Sequence, residues 1–317
     1  MDIPETLAPL HTLFMVVSFV LGCLVGSFCN VCAARWPAGE SVIKPRSRCP
    51  RCMNPIAWYD NIPLFSWLML GAKCRHCDKP ISWQYPLVEA LTGVLFLFVY
   101  LRFGIVLATP IYMLFCAALV VVTFQDLADW TIPNEITLPG IPIALVVALL
   151  GMIYPESMLR VTDPIDALIG IALGGGIIYG MDRITVVLLK KPGMGMGDVK
   201  LLAMLGGFLG WQGVLGILFA ASIVGSIIGV ALILLQRTSQ GAGEEVAETD
   251  SDADASAKKD AHAEDSEEDF LPEGHYIPFG PYLALGALLF LFFGPEIIEH
   301  YFLPLTVVDP HTPITLP

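Results

Sequence analysis

The chain has 317 residues, 55% of them hydrophobic and only 15% charged, with a mean hydropathy of +0.69. That apolar excess excludes an ordinary soluble globular domain and predicts an all-α polytopic membrane protein embedded in the lipid bilayer. The formal charge of −13 is local: residues 241–270 hold 12 acidic and 2 basic side chains, so the rest carries only −3, and no nucleic-acid partner is expected.

A span needs about 20 predominantly apolar residues. The first apolar run, Thr6 to Ala34, is too long for a signal-peptide core and is read as an anchor. Eight spans are predicted, roughly over 12–34, 86–102, 108–126, 138–154, 166–189, 199–210, 213–236 and 280–303. A turn at Gly206-Gly207-Phe208-Leu209-Gly210-Trp211 separates the short sixth span from the seventh; one bent span there makes the count seven. The expected division is a first transmembrane helix (1–34), a four-cysteine domain (35–85), a transmembrane core (86–237), an acidic insert (238–274) and a last helix with its tail (275–317).

Between the first two spans stand Cys49-Pro50-Arg51-Cys52 and Cys74-Arg75-His76-Cys77, separated by 21 residues. Two CxxC pairs at this distance predict a zinc-ribbon-like site in which Cys49, Cys52, Cys74 and Cys77 hold a structural Zn²⁺ and leave no open coordination position. Disulfides are the competing reading. Trp58, Phe65, Trp67 and Trp83 are expected to form a small core around the metal, with His76 as a solvent-facing neighbour. Cys23, Cys29, Cys32 and Cys116 fall in apolar spans and read as buried small hydrophobes.

Two carboxylates stand where apolar stretches end, Asp126 in Phe124-Gln125-Asp126-Leu127-Ala128-Asp129 and Asp198 in Gly193-Met194-Gly195-Met196-Gly197-Asp198. An ionisable group beside lipid is costly, so it asks for a reason. Peptide hydrolysis without a covalent intermediate needs one carboxylate to take a proton from water and another to give one to the carbonyl oxygen. Asp129 competes with Asp126 for the first role, and periodicity does not choose between them. The bland reading of Asp198 is a helix N-cap. Asp182 and Arg183 read as a local charge pair, Glu89 as a hydrogen-bonding group within the bundle, and the glycines of the spans as close-packing positions.

Lysine and arginine placement sets orientation. Eight basic residues lie between the first two spans, Lys190, Lys191 and Lys200 flank the fifth and sixth, and Arg237, Lys258 and Lys259 follow the seventh. With eight spans these loops share one side, the cytoplasm, and both aspartates reach it. The segment from about 238 to 274 is rich in Glu, Asp, Ala and Ser and reads as a disordered cytoplasmic insert.

The Gly195-Met196-Gly197-Asp198 motif resembles the GxGD motif of the bacterial type IV prepilin peptidases. So do the order and spacing of Leu24-Val25-Gly26-Ser27-Phe28-Cys29-Asn30-Val31, both CxxC pairs, Asn61-Ile62-Pro63-Leu64-Phe65-Ser66-Trp67, Tyr85-Pro86-Leu87-Val88-Glu89, the Asp126 motif and Pro278-Phe279-Gly280-Pro281-Tyr282-Leu283-Ala284. The resemblance implies that Asp126, rather than Asp129, is catalytic together with Asp198. It further implies cleavage of the leader of prepilins and pseudopilins at the cytoplasmic side of the inner membrane, after Gly and before Phe. Methylation of the new amino terminus with S-adenosyl-L-methionine is implied in the same way, and the cysteine loop accompanies it in such bifunctional proteins. The acidic insert and Asn134, where some relatives carry Asp, depart from the pattern. Other classes remain to be weighed: a proton- or cation-coupled transporter, which calls for mid-membrane charges and an inverted repeat, and a noncatalytic zinc-containing scaffold, in which both aspartates are dispensable.

Overall fold

A backbone in lipid must satisfy its own hydrogen bonds, which confines spanning segments to helices unless a barrel closes. The computed structural model describes residues 8–190, 195–240 and 278–301, and among these the regular structure is helical apart from two isolated β-bridges. The helices are α1 (Ala8–Arg35), α2 (Phe65–Met69), α3 (Gln84–Phe103), α4 (Ala108–Asp129), α5 (Asn134–Ile153), α6 (Pro164–Leu189), α7 (Met196–Gln240) and α8 (Gly280–Tyr301). Six of them, all but α2 and α8, are long and apolar enough to cross a membrane, and α8 adds a shorter apolar stretch, Gly280–Glu296. The chain is a multi-pass membrane protein. Most of the acidic segment expected over 238–274 lies outside the described residues; Thr238 to Gln240 continue α7 as helix.

The predicted sixth and seventh spans are the two halves of α7. The turn expected across Gly206 to Trp211 contracts to one residue, Gly210, whose φ of 75° and ψ of 176° break the helix. Only glycine takes that conformation at low cost, and a Cβ there would stand 2.7 Å from the Asp166 carboxylate. Every residue from Leu201 to Gly210 is buried, so this half-helix lies inside the bundle, with Met204 against Gly140 of α5, Gly206 against Gly170 of α6 and Phe208 against Phe115 of α4. A short central span is tolerated because protein, not lipid, surrounds it.

Glycines set the closest approaches. A Cβ on Gly170 of α6 would lie 2.1 Å from the Gly206 carbonyl oxygen, and one on Gly206 would meet the Gly170 carbonyl at the same distance. Gly22 faces Gly93, and Gly26 faces Glu89, so α1 and α3 touch backbone to backbone. Gly176, expected to pack similarly, meets open space.

At the end of the bundle away from the cysteine loop, Pro295 lies inside α8 and has no N–H for the Leu291 carbonyl. Arg160 replaces that partner: its Nε and Nη2 donate to Leu291 O at 3.0 and 2.5 Å, while its own backbone N–H donates to Tyr112 Oη at 2.6 Å. Without the guanidinium the carbonyl would be orphaned, at a cost of about 1–3 kcal/mol.

Long-range bonds bring the opposite ends of the helices together. Asn30 Nδ2 near the end of α1 donates to Tyr85 O at the start of α3, Lys200 Nζ of α7 donates to Asn134 Oδ1 of α5, and Gly280 N–H of α8 donates to Asp126 of α4. The cysteine loop, the end of α4 and the starts of α5, α7 and α8 therefore occupy one face.

Candidate active site

Asp126 sits in the last turn of α4 and is only 5% exposed, whereas Asp129 is exposed. Its Oδ2 accepts the Gly280 N–H at 3.0 Å. Gly280 opens α8, so the positive end of that helix is directed at the carboxylate. A Cβ on Gly280 would come within 2.5 Å of the same oxygen, so only glycine lets backbone and carboxylate meet in this way.

Asp198 lies in the first turn of α7, which starts at Met196. It is therefore inside the helix rather than its N-cap. The Gly195 N–H bonds the carboxylate, and Asp198 lies within electrostatic range of Asp126. Both acids thus face helix N-termini, which favour negative charge and reduce the cost of placing carboxylates near the bilayer. Gly193 and Met194, part of the glycine run before Asp198, lie outside the described residues.

The connection from α4 to α5 joins the two acids. Trp130 ends α4 in the left-handed region, at φ 58°, an uncommon conformation for a bulky residue. The turn lays Ile132 across both helix starts: a Cβ on Gly197 would lie 3.0 Å from Ile132 Cβ, and one on Gly280 would lie 3.4 Å from Ile132 Cδ1. Beside Asp126, Gln125 is buried; its Nε2 donates to Thr131 Oγ1 at 3.3 Å, and its Oε1 has no hydrogen-bond partner among the described residues. Two carboxylates within electrostatic range influence each other's ionisation, so that one is protonated while the other is ionised, which is the division of roles acid–base hydrolysis needs.

The four cysteines converge as their spacing predicts. All four Sγ atoms lie within 4.8 Å of one another, and Cys49 and Cys77 are 3.9 Å apart. A tetrahedral site with Zn–S bonds of ~2.3 Å has sulfur–sulfur edges of about 3.8 Å, so this cluster can hold such an ion. None of the cysteines is in a disulfide. His76 is exposed and not among the cluster, and Cys23, Cys29, Cys32 and Cys116 are buried in the bundle.

Each CxxC forms a knuckle by the same bonds. Cys49 N–H donates to Asn54 O and Met53 N–H to Cys49 O; Cys74 N–H donates to Lys79 O and Asp78 N–H to Cys74 O. Met53 and Asp78 both take left-handed φ values, 60° and 53°. The symmetry was visible in Cys49-Pro50-Arg51-Cys52-Met53-Asn54-Pro55-Ile56 and Cys74-Arg75-His76-Cys77-Asp78-Lys79-Pro80-Ile81, an internal repeat that the search for metal spacing alone passes over. Burial opposes ionisation of the Cys49 thiol, but backbone N–H groups of Cys52 and Arg51 and the neighbouring thiols of Cys74 and Cys52 outweigh it and bring it down to about 7. A thiolate is the form that binds metal.

The aromatic core expected around this site does not form. Trp58 is 73% and Trp83 74% exposed, and Phe65 also faces outward, although Trp67 and Trp83 touch at a tilt of 53° with centroids 4.4 Å apart. The loop is too small to enclose four large rings; backbone knuckles and polar ties hold it instead. Asp60 accepts both Nε and Nη2 of Arg75, and this bonding holds its carboxyl below the usual range. Glu89 bonds Ser27 of α1 within the bundle, as expected, and also accepts the Leu64 N–H at 2.8 Å, which ties α3 to the loop. Asp182 and Arg183 do form the expected local pair, at 3.8 Å. A chelator is predicted to open the loop: limited trypsin digestion should then cut between Arg46 and Lys79 in the treated protein and leave the untreated protein protected.

Sequence comparison adds an independent line. The family described as Bacterial Peptidase A24 N-terminal domain matches residues 20–103, and the Type IV leader peptidase family matches residues 113–230. A protein of Myxococcus xanthus named prepilin leader peptidase/N-methyltransferase is 37% identical, with 93% of each chain covered. Proteins of the same name from Aeromonas salmonicida and Pseudomonas aeruginosa are 32% and 29% identical, over 91% and 95% of this chain and 94% and 98% of theirs. No solved structure gives a significant match. Buried Asp126, Asp198 in the first turn of α7 and the paired knuckles thus occur in a chain that belongs to the type IV leader peptidase family.

Proposed function

We propose that this protein is a membrane aspartic endopeptidase that removes the leader from type IV prepilins and pseudopilins and then N-methylates the new amino terminus. The observation that carries the reading is the pairing of Asp126 and Asp198 within electrostatic range, each facing a helix N-terminus on one face of the bundle. The ionised member of the pair takes a proton from water, whose oxygen attacks the scissile carbonyl while the protonated member donates to the carbonyl oxygen. Collapse of the tetrahedral intermediate expels the amine of the mature pilin, which takes a proton from the carboxyl that received it from water. The substrate's apolar helix stays in the bilayer as its leader junction meets the two acids.

Arg35 at the end of α1 and the seven basic residues in the loop between α1 and α3 support placing this face in the cytoplasm, in the inner membrane of a bacterium. Cys49, Cys52, Cys74 and Cys77 have the donor chemistry and closeness for Zn²⁺, which when bound supplies a structural clip. S-adenosyl-L-methionine, when bound, supplies an electrophilic methyl group. The division into a four-cysteine domain at 35–85 and a peptidase core at 86–237 is part of the same proposal. A transporter calls for charges near mid-membrane, whereas these acids lie in the last turn of α4 and the first turn of α7.

Purified protein in lipid nanodiscs is expected to convert a prepilin into a shortened pilin, and to yield a pilin one methyl group heavier when S-adenosyl-L-methionine is added. Intact-mass spectrometry reads both. Uncut prepilin would reject the peptidase reading, and a cut but never methylated product would reject the second activity alone.

A further inference from the structure

The four residues 130–133 join α4 to α5 and set Ile132 against Gly197, the residue before Asp198, and against Gly280, whose N–H holds Asp126. Moving Ile132 therefore disturbs the surroundings of both acids at once. The ends of the connection are each tied down. Trp130 N–H donates to Asp126 O at 3.1 Å, Thr137 Oγ1 donates to Pro133 O at 3.1 Å, and Lys200 Nζ donates to Asn134 Oδ1 at 2.8 Å. The middle has one tie: among the described residues, the bond from Gln125 Nε2 to Thr131 Oγ1, at 3.3 Å, is the only hydrogen bond that Thr131 or Ile132 makes.

We propose that Gln125 is a positioning residue for the acid pair, an inference that rests on the peptidase reading: its amide fixes Thr131 and thereby keeps Ile132 seated between the starts of α7 and α8. As a source of stability this amide is a poor choice. The residue is 3% exposed and its Oε1 meets no donor, so the acceptor has lost its water and gained nothing in return. A leucine of similar size would remove that penalty. Trp130 adds strain to the same turn through its left-handed conformation, which persists only where the surroundings impose it. An unpaired buried acceptor and a strained turn beside Asp126 mark a place where stability is given up for placement.

The tie acts through the turn rather than on the substrate. Gln125 Oε1 is fully enclosed, so the amide meets neither the scissile bond nor the water that attacks it. What it controls is whether Ile132 stays wedged between two helix starts. A built Cβ on Gly197 would lie only 3.0 Å from Ile132 Cβ, so the fit is tight, and once Thr131 is released packing alone maintains it. The starts of α7 and α8 can then shift relative to α4, and a small change in the placement of reacting groups lowers the rate steeply. Because the buried amide offers the substrate no contact, the loss falls on kcat and not on KM.

Steady-state cleavage of a prepilin by zinc-replete enzyme in nanodiscs, with melting temperatures measured alongside, tests the assignment. Gln125→Leu and Thr131→Val each remove the bond at nearly constant size; each should lower kcat about tenfold and leave KM within about twofold. Gln125→Leu should also melt at or above the wild-type temperature, since it replaces an unpaired buried amide. The double variant should lose no more than the worse single variant, because both changes break the same bond. Thr131→Ser keeps the hydroxyl and should bring kcat back to within about twofold of wild type. Wild-type kcat in either Gln125→Leu or Thr131→Val would overturn the proposal. A loss in Gln125→Leu that comes with a lower melting temperature would assign the residue a structural role instead, and losses that multiply in the double variant would remove the tie. Wild-type enzyme that leaves prepilin uncut would overturn the peptidase reading and this role with it, whereas variants that cut at the wild-type rate overturn the role alone.

Discussion

Gly280→Ala is expected to lower the rate of prepilin cleavage about 100-fold while leaving the protein folded, because the added methyl group displaces Asp126 from its working position. The built Cβ would lie 2.5 Å from Asp126 Oδ2 and 3.4 Å from Ile132 Cδ1, so the carboxylate must move or α8 must withdraw its N–H. A shift of about 1 Å in a reacting group is enough to cost two orders of magnitude. The effect should appear in kcat with KM near the wild-type value, since Gly280 positions a reacting group rather than the substrate's helix. Zinc content and melting temperature separate this outcome from unfolding. An equal loss in KM, or none in kcat, would remove Gly280 from its proposed positioning role.

Much of this architecture was legible in the chain, for identifiable reasons. Long apolar runs fix the spans because lipid leaves the backbone no other choice, and two CxxC pairs fix the thiolate cluster because tetrahedral metal chemistry demands four close sulfurs. What escaped is contact between distant segments. Gly280 stands 154 positions from Asp126, and nothing local in Pro278-Phe279-Gly280-Pro281 announces that its N–H will meet that carboxylate. Glu89 pointed to the bundle on sequence and bonds Ser27 there, but its second partner is Leu64, in a loop whose path depends on the two knuckles. The same limit applies within the spans: helices apolar on every side carry no stripe that says which face is buried, so the enclosure of Leu201 to Gly210 could not be read from periodicity. Asp129 and Asp126 were equivalent on pattern and separated only by resemblance; burial now distinguishes them on physical grounds.

The larger effect is expected at the acids themselves. Asp126→Asn keeps the size of the side chain and an oxygen able to accept the Gly280 N–H, yet it removes a group that can exchange protons. Asp198→Asn does the same at the first turn of α7. Proton transfer by a placed side chain contributes about 10²–10⁴-fold, and when two carboxylates act as one unit the loss of either removes the contribution of both. Each single variant should therefore lose at least ~10³-fold in rate, and the double variant little more. The wild-type pH–rate profile should be bell-shaped, since one carboxyl must be protonated and the other ionised, and its two limbs belong to the pair.

The most direct measurement is single-turnover cleavage of a prepilin by zinc-replete, folded Asp126→Asn and Asp198→Asn enzymes in nanodiscs, followed by intact mass. The predicted result is uncut prepilin from both variants over a time in which wild-type enzyme converts all of its substrate. Mature pilin produced at the wild-type rate by either variant would contradict the assignment of hydrolysis to this pair.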